Sequence, residues 1–233
     1  MARLQRSLAG IELEGVDIAA LSLGANSLLE SFGADEGALY LEITRGAYPR
    51  SHAFPPEGTP PTVLMWIRPA PAPDLRAWQQ GVAVMTAADD RWAKVWIKTI
   101  GLLPNVLAKE KAHRRGLFDA IFVRDGMVTE ATSANVFIVR GGELVTAPVT
   151  NYILPGITRE VLIEIARERH MPLTLLPFSA DDMLQADEVF LSGTTTEVLP
   201  VTQVDGAVIG SGQAGPVARE LSQALRQRAG AVS

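Results

Sequence analysis

The 233-residue chain is 47% hydrophobic and 20% charged, the balance of a protein that buries a core and not of a disordered one, and it is long enough for one large domain or two modest ones. A formal charge of −5 spread along the sequence gives no clustered Lys and Arg face, which argues against nucleic acid as a partner. Cysteine is absent, so disulfides, thiolate metal sites and a cysteine nucleophile are excluded, and a reducing compartment fits.

At the N-terminus, Glu12, Glu14 and Asp17 interrupt any apolar or acid-poor targeting segment. No window approaches the roughly 20 apolar residues of a membrane span, so no membrane partner and a cytoplasmic location are expected. Residues 38–47 and 61–68 are rich in strand formers, and the prolines of YPRSHAFPPEGTP between them predict two strands joined by a presenting loop. A Pro-Ala run, PAPAPD at 69–74, marks a domain boundary, giving domains 1–72 and 73–233.

Beyond it, DLRAWQQG reads as helix and GVAVMTAAD as strand. Residues 104–116 form the clearest helix, with Pro104 near its start and Gly116 as its stop. Asp125-Gly126, Gly141-Gly142 and Asp205-Gly206 are hairpin dipeptides. The remainder predicts helix 158–170, strand 173–177, helix 180–186, strand 188–192 and a final helix 216–228. Hairpins mixed with single helices make the fold class α+β.

Gly210 to Gly215 spells G-x-G-x-x-G before a helix. A dinucleotide fingerprint needs a following parallel strand with an acidic residue about 20 positions on, and the sequence supplies only one more helix. A plain Gly-rich helix start is the better reading.

Lys98 is one ammonium in the apolar run Val95 to Ile100, which reads as buried. Exposed lysines are far commoner, yet an apolar setting is what lowers a lysine pKa enough for attack on a carbonyl. Thr129-Glu130 ends a strand and precedes Ala131-Thr132-Ser133-Ala134-Asn135. That stretch is either a solvated turn or a site where a fixed carboxylate keeps a ring nitrogen protonated.

Leu154-Pro155-Gly156-Ile157-Thr158-Arg159 opens a helix whose free N–H groups and hydroxyl suit a phosphate. Ser192-Gly193-Thr194-Thr195-Thr196 offers a second set of donors. Arg50 and His52 stand two apart in a loop; if it is extended, both face one side and suit a carboxylate. His113 and His170 look like surface residues, so no metal centre has a ligand set.

Together these residues resemble the fold-type IV pyridoxal-phosphate enzymes, the class IV aminotransferases, and most closely their D-amino-acid-specific members. The stretches that carry the resemblance are TRGAYPRSHAFP, WIKTIGLLPNVLAKEKA, VTEATSANVF, LPGITRE and SGTTTEVLPV, in the family's order. The resemblance implies pyridoxal 5'-phosphate as cofactor, with Lys98 as the lysine that attaches it and moves the proton. It also implies Glu130 on the ring nitrogen, Arg3, Ile157, Thr158, Gly193 and Thr194 around the phosphate, and Arg50 and His52 on the substrate carboxylate.

The implied fold is a small N-terminal α/β domain and a larger domain with a mixed, barrel-like sheet, in a homodimer. The implied reaction moves an amino group between a D-amino acid and a 2-oxo acid. Val95-Trp96 and Gly193 depart from the closest members. Members begin several dozen residues earlier, with strands, a Gly-rich turn and an active-site tyrosine, so this sequence is expected to lack one wall of the site. Within the fold, a branched-chain aminotransferase or an aminodeoxychorismate lyase is the alternative; outside it, a truncated, inactive chain that at most binds the cofactor.

Overall fold

A computed structural model describes residues 1–33, 36–70 and 74–230. The chain divides into two compact units, Met1–Ala72 and Pro73–Ser233. Residues 71–73 of the Pro-Ala run lie outside the described residues.

In the first unit, α1 (Ala2–Gly10) and α2 (Ile18–Phe32) precede an antiparallel pair, β1 (Gly37–Thr44) and β2 (Thr62–Pro69). Asp17 starts α2 by accepting the Ala20 N–H at 3.0 Å, an ordinary side-chain N-cap. Tyr40 and Trp66 are cross-strand partners whose rings stack at 4.0 Å. The loop between the strands is held at its base by Arg45, which donates to the carbonyls of Glu12, at 2.9 Å, and Ile11. The Arg45 guanidinium also lies 3.5 Å from the centre of the Phe54 ring.

The second unit begins with α3 (Leu75–Gln80), β3 (Val82–Ala88) and α4 (Leu103–His113). Next come β4 (Asp119–Arg124), β5 (Met127–Ala131), β6 (Asn135–Arg140), β7 (Glu143–Thr146), α5 (Ile157–Glu168) and β8 (Leu173–Leu175). The chain continues through α6 (Ala180–Leu184), β9 (Glu188–Gly193), β10 (Glu197–Val204), β11 (Ala207–Val208) and α7 (Pro216–Arg228).

Among the described residues these strands make one mixed sheet in the order β5-β4-β3-β10-β9-β6-β7-β8, with β11 paired to β10. In a flat sheet β5 and β6 would lie five strand spacings apart, about 24 Å. Instead they are joined through residues 132–134, and the Ala131 N–H donates to the Ala134 carbonyl at 2.8 Å. The sheet therefore curls back on itself, giving the expected α+β fold with a barrel-like core.

Strand alternation sorts the core into two layers. Val136 and Ile138 of β6, Val189 and Leu191 of β9, and Leu199 and Val201 of β10 fill one face of the curled sheet. Phe137, Val139, Phe190 and Val198 face the other way onto Leu162 and Ile165 of α5 and Leu221 of α7, with Phe137 stacked on Phe190 at 5.0 Å. Burial on both faces is why these strands read as unbroken apolar runs.

The G-x-G-x-x-G segment is filled from within the fold. Glu188 accepts the N–H groups of Val217 and Ala218, each at 2.9 Å, so a buried carboxylate already holds the N-terminus of α7. A Cβ on Gly215 would sit 1.9 Å from that carboxyl carbon. The glycine makes room for Glu188, not for a pyrophosphate.

Candidate active site

The predicted residues fall in both units. Arg3 on α1, and Arg50 and His52 in the β1–β2 loop, belong to the first; Lys98, Glu130, Ile157, Thr158, Gly193 and Thr194 belong to the second. Arg50 and His52 are exposed. Their loop bends at both residues, and the Ser51 hydroxyl accepts the Ala53 N–H at 3.1 Å. It is not the extended run on which same-side presentation was conditional.

Glu130, at the end of β5, is the centre of the cluster and is 6% exposed. Its Oε1 accepts from Arg91 Nη1 at 2.5 Å. Its Oε2 accepts from Asn135 Nδ2 at 3.1 Å and from the Leu154 N–H at 2.9 Å. Burial pushes the Glu130 carboxyl up to about 7, against the lowering by the Arg91 charge and hydrogen bond and by the Leu154 N–H.

Asp89 shares the same guanidinium. Its Oδ1 accepts Arg91 Nε at 2.9 Å and its Oδ2 accepts Arg91 Nη2 at 2.8 Å, a two-pronged ion pair. Burial also raises Asp89, but the hydrogen bond and charge of Arg91 and the Thr129 hydroxyl outweigh it, leaving the group below the usual carboxylate range. Arg91 itself stays charged, its two carboxylates offsetting the cost of burial.

From Glu130 the cluster extends to two strand and helix ends. Asn135 also donates to the Leu154 carbonyl at 3.0 Å, fixing the approach to α5. A Cβ on Gly156 would stand 2.1 Å from Asn135 Oδ1, so only glycine fits there. Gly156 caps α5 without a side-chain hydrogen bond, and a helix start leaves its first N–H groups without intrahelical partners. Ile157 is exposed and Thr158 half-buried beside that end.

Ser192 is the cross-strand partner of Asn135 and so turns toward the same face. Its hydroxyl is buried and has no hydrogen-bond partner among the described residues. Gly193, half-buried, and Thr194, exposed, continue from it.

Lys98 corrects one expectation: it is exposed, not buried. The run Val95 to Ile100 passes from a turn into an irregular loop and is not a strand. Val95 and Ile97 point inward at 9% and 3% exposure, and the side chain after Ile97 turns out. The loop is nevertheless tied to the cluster at both ends. The Val95 N–H donates to the Asn151 carbonyl at 2.8 Å, and Asn105 Nδ2 donates to the Thr132 carbonyl at 2.7 Å. Residue type alone did not bring out Asp89, Arg91 or Asn135. Their only signal was a charged Asp-Asp-Arg triplet after a buried strand, and an asparagine opening an apolar run.

The arrangement offers one buried carboxylate of tuned basicity, a hydroxyl and N–H cup beside it, and a lysine on a pinned loop. Among the described residues no group of three or more His, Cys, Asp or Glu side chains could hold a metal ion, and no helix is long and apolar enough to cross a membrane.

Known proteins resemble this chain along most of its length. It is 40% identical over 230 residues to the D-alanine aminotransferase of Bacillus licheniformis, covering 97% of this chain and 80% of that protein. It superposes on the branched-chain amino acid aminotransferase of Escherichia coli with a TM-score of 0.89 at 28% identity, covering 97% of this chain and 77% of that one. It is also similar to a T.th. branched-chain amino acid aminotransferase complexed with N-(5'-phosphopyridoxyl)-L-glutamate, with a TM-score of 0.83 at 25% identity over 97% of this chain and 76% of that one. The amino-transferase class IV family matches residues 1–204, and with that span and these relatives the chain belongs to the class IV aminotransferases.

Proposed function

We propose that the chain is a pyridoxal-phosphate-dependent aminotransferase that exchanges an amino group between a D-amino acid such as D-alanine and a 2-oxo acid. The observation that carries this reading is the 40% identity along nearly the whole chain to a D-alanine aminotransferase. The relative solved with a phosphopyridoxyl ligand supports the choice of cofactor.

The residues present fit such a group. A carboxylate has about four acceptor sites, and three on Glu130 are taken by Arg91, Asn135 and Leu154, which leaves room on Oε1 for a ring N–H. The Ser192 hydroxyl, which has no hydrogen-bond partner among the described residues, and the start of α5, which has no side-chain cap, fit a phosphate. When bound, the cofactor supplies an electron-withdrawing ring that stabilises negative charge at the substrate Cα.

In this reading Glu130 holds the proton on the ring nitrogen. The N–H groups of Ile157 and Thr158, the Thr194 hydroxyl, Gly193 and Arg3 hold the phosphate. Lys98 attaches the cofactor and moves the proton at Cα, and Arg50 and His52 orient the substrate carboxylate. The second unit is then the cofactor-binding domain and the first belongs to the small domain.

A homodimer belongs to the same reading. Ile100, Leu103, Val106 and Leu107 are 67%, 68%, 58% and 61% exposed, an apolar surface around α4 of the kind a second copy covers. A cytoplasmic location fits the cysteine-free sequence.

The two solved relatives described above are branched-chain amino acid aminotransferases, which favours L-branched-chain transamination as the second reading. Assaying D-alanine, L-leucine and aminodeoxychorismate side by side with the cofactor separates the readings. Turnover of D-alanine with a 2-oxo acid is expected, and turnover of only the other two would overturn the D-specific reading.

A further inference from the structure

Asp89 plays no part in the chemistry above, yet it is among the best-held side chains of the second unit, with no exposed side-chain surface. Besides both prongs of Arg91 it accepts the Thr129 hydroxyl at 2.8 Å and the Arg91 backbone N–H at 3.2 Å. Arg124 of β4 reaches it at 3.4 Å. The guanidinium between the two carboxylates is locked further by the Tyr152 carbonyl at 3.0 Å and lies over the Phe122 ring at 4.4 Å.

This geometry decides how Arg91 can meet Glu130. An unshared arginine beside a carboxylate pairs with it through two parallel bonds, which would occupy both oxygens and neutralise them. Asp89 takes Nε and Nη2, so one prong, Nη1, is left for Glu130. The charged groups facing Glu130 are then Arg91 and Asp89 from the segment after β3, with Arg124 behind Asp89; Asn135 and the Leu154 N–H complete its surroundings.

We propose that Asp89 is a positioning residue that acts on Glu130 through Arg91: it fixes the guanidinium and divides its charge, so that the buried carboxylate keeps the basicity a protonated ring nitrogen requires. The functional half rests on Glu130 being the ring partner. The electrostatic half stands on the side-chain geometry alone.

The test uses the full chain freed of small molecules. Infrared spectra of protein labelled with isotopic glutamate, with Glu130→Gln subtracted to assign the band, give the titration midpoint of Glu130. In Asp89→Asn the acid dissociation constant of Glu130 should rise roughly tenfold or more, as expected for removing a like charge a few ångströms away at an effective dielectric of ~20. Asp89→Glu should restore the wild-type midpoint.

Arg124→Gln, at a partly exposed position, removes a cation from Asp89 and should move the Glu130 midpoint the other way, upward. An unchanged or raised midpoint in Asp89→Asn, or an unchanged one in Arg124→Gln, overturns the proposal. Titration with pyridoxal phosphate, followed by visible absorbance, distinguishes the two levels. Wild-type protein that fails to bind it overturns the cofactor role of Glu130 and the functional half of this inference. Binding with an unmoved midpoint overturns the role of Asp89 alone.

Discussion

Glu130→Gln probes the buried carboxylate directly through the pH dependence of folding. A carboxyl carried from its ordinary 4.5 to about 7 costs roughly 3 kcal/mol to ionise in the folded chain relative to the unfolded one, at ~1.4 kcal/mol per tenfold change in dissociation constant. Between those two pH values the folded state binds more protons than the unfolded state. Stability from this group is thus full below about 4.5 and is lost as pH rises through about 7.

Glutamine cannot titrate, so the variant should lack this loss. It also turns an amide toward the N–H donors of Asn135 and Leu154, which lowers its stability at every pH alike. The comparison is therefore one of slopes. Urea unfolding of the cofactor-free protein from pH 4.5 to 8 should show wild type losing about 3 kcal/mol relative to Glu130→Gln. Parallel curves would refute the reading of Glu130 as a carboxyl made basic by burial.

Two further substitutions test the frame around the site. Gly156→Ala drives a Cβ to within 2.1 Å of Asn135 Oδ1 and should cost about 1–3 kcal/mol, read as a drop in Tm of ~2–4 °C per kcal/mol; an unchanged Tm would mean that Asn135 is not fixed. Glu188→Gln leaves one of the buried N–H groups of Val217 and Ala218 facing an amide NH2 and should cost about 1–3 kcal/mol, measured by the urea midpoint. A neutral result there would show that the carboxylate does not hold the start of α7.

Much of the fold was legible because local chemistry and tertiary structure agree. Asp125-Gly126 and Gly141-Gly142 carry the positive φ angles that tight hairpins need, and the run Val136 to Val139 within β6 is apolar because both its faces are buried. Helix 158–170 ends earlier than expected, at Glu168, and strand 173–177 shortens to Leu173–Leu175, since end positions depend on neighbours more than on propensity.

Lys98 misled on burial because an apolar run says nothing of whether it is strand or loop. The loop buries Val95 and Ile97 and leaves Lys98 and Ile100 outside. Arg91 gave only the faint signal of a charged triplet: its partners Asp89 and Glu130 lie two and 39 residues away, and it is the pairing of β3 with β4 and of β4 with β5 that brings Glu130 near the end of β3. The G-x-G-x-x-G segment shows the opposite case, a pattern set by packing against Glu188 that imitates a ligand signature.

The central claim, a cofactor attached at Lys98, is tested most directly by covalent trapping. The chain's lysines are Lys94, Lys98, Lys109 and Lys111, and Lys109 already pairs with Asp119 at 3.3 Å. Incubation with pyridoxal phosphate, reduction with borohydride and peptide mass spectrometry should find the adduct on Lys98, and Lys98→Ala should lose both the adduct and the visible absorbance. An adduct confined to another lysine, or none on the wild-type chain, would contradict the account.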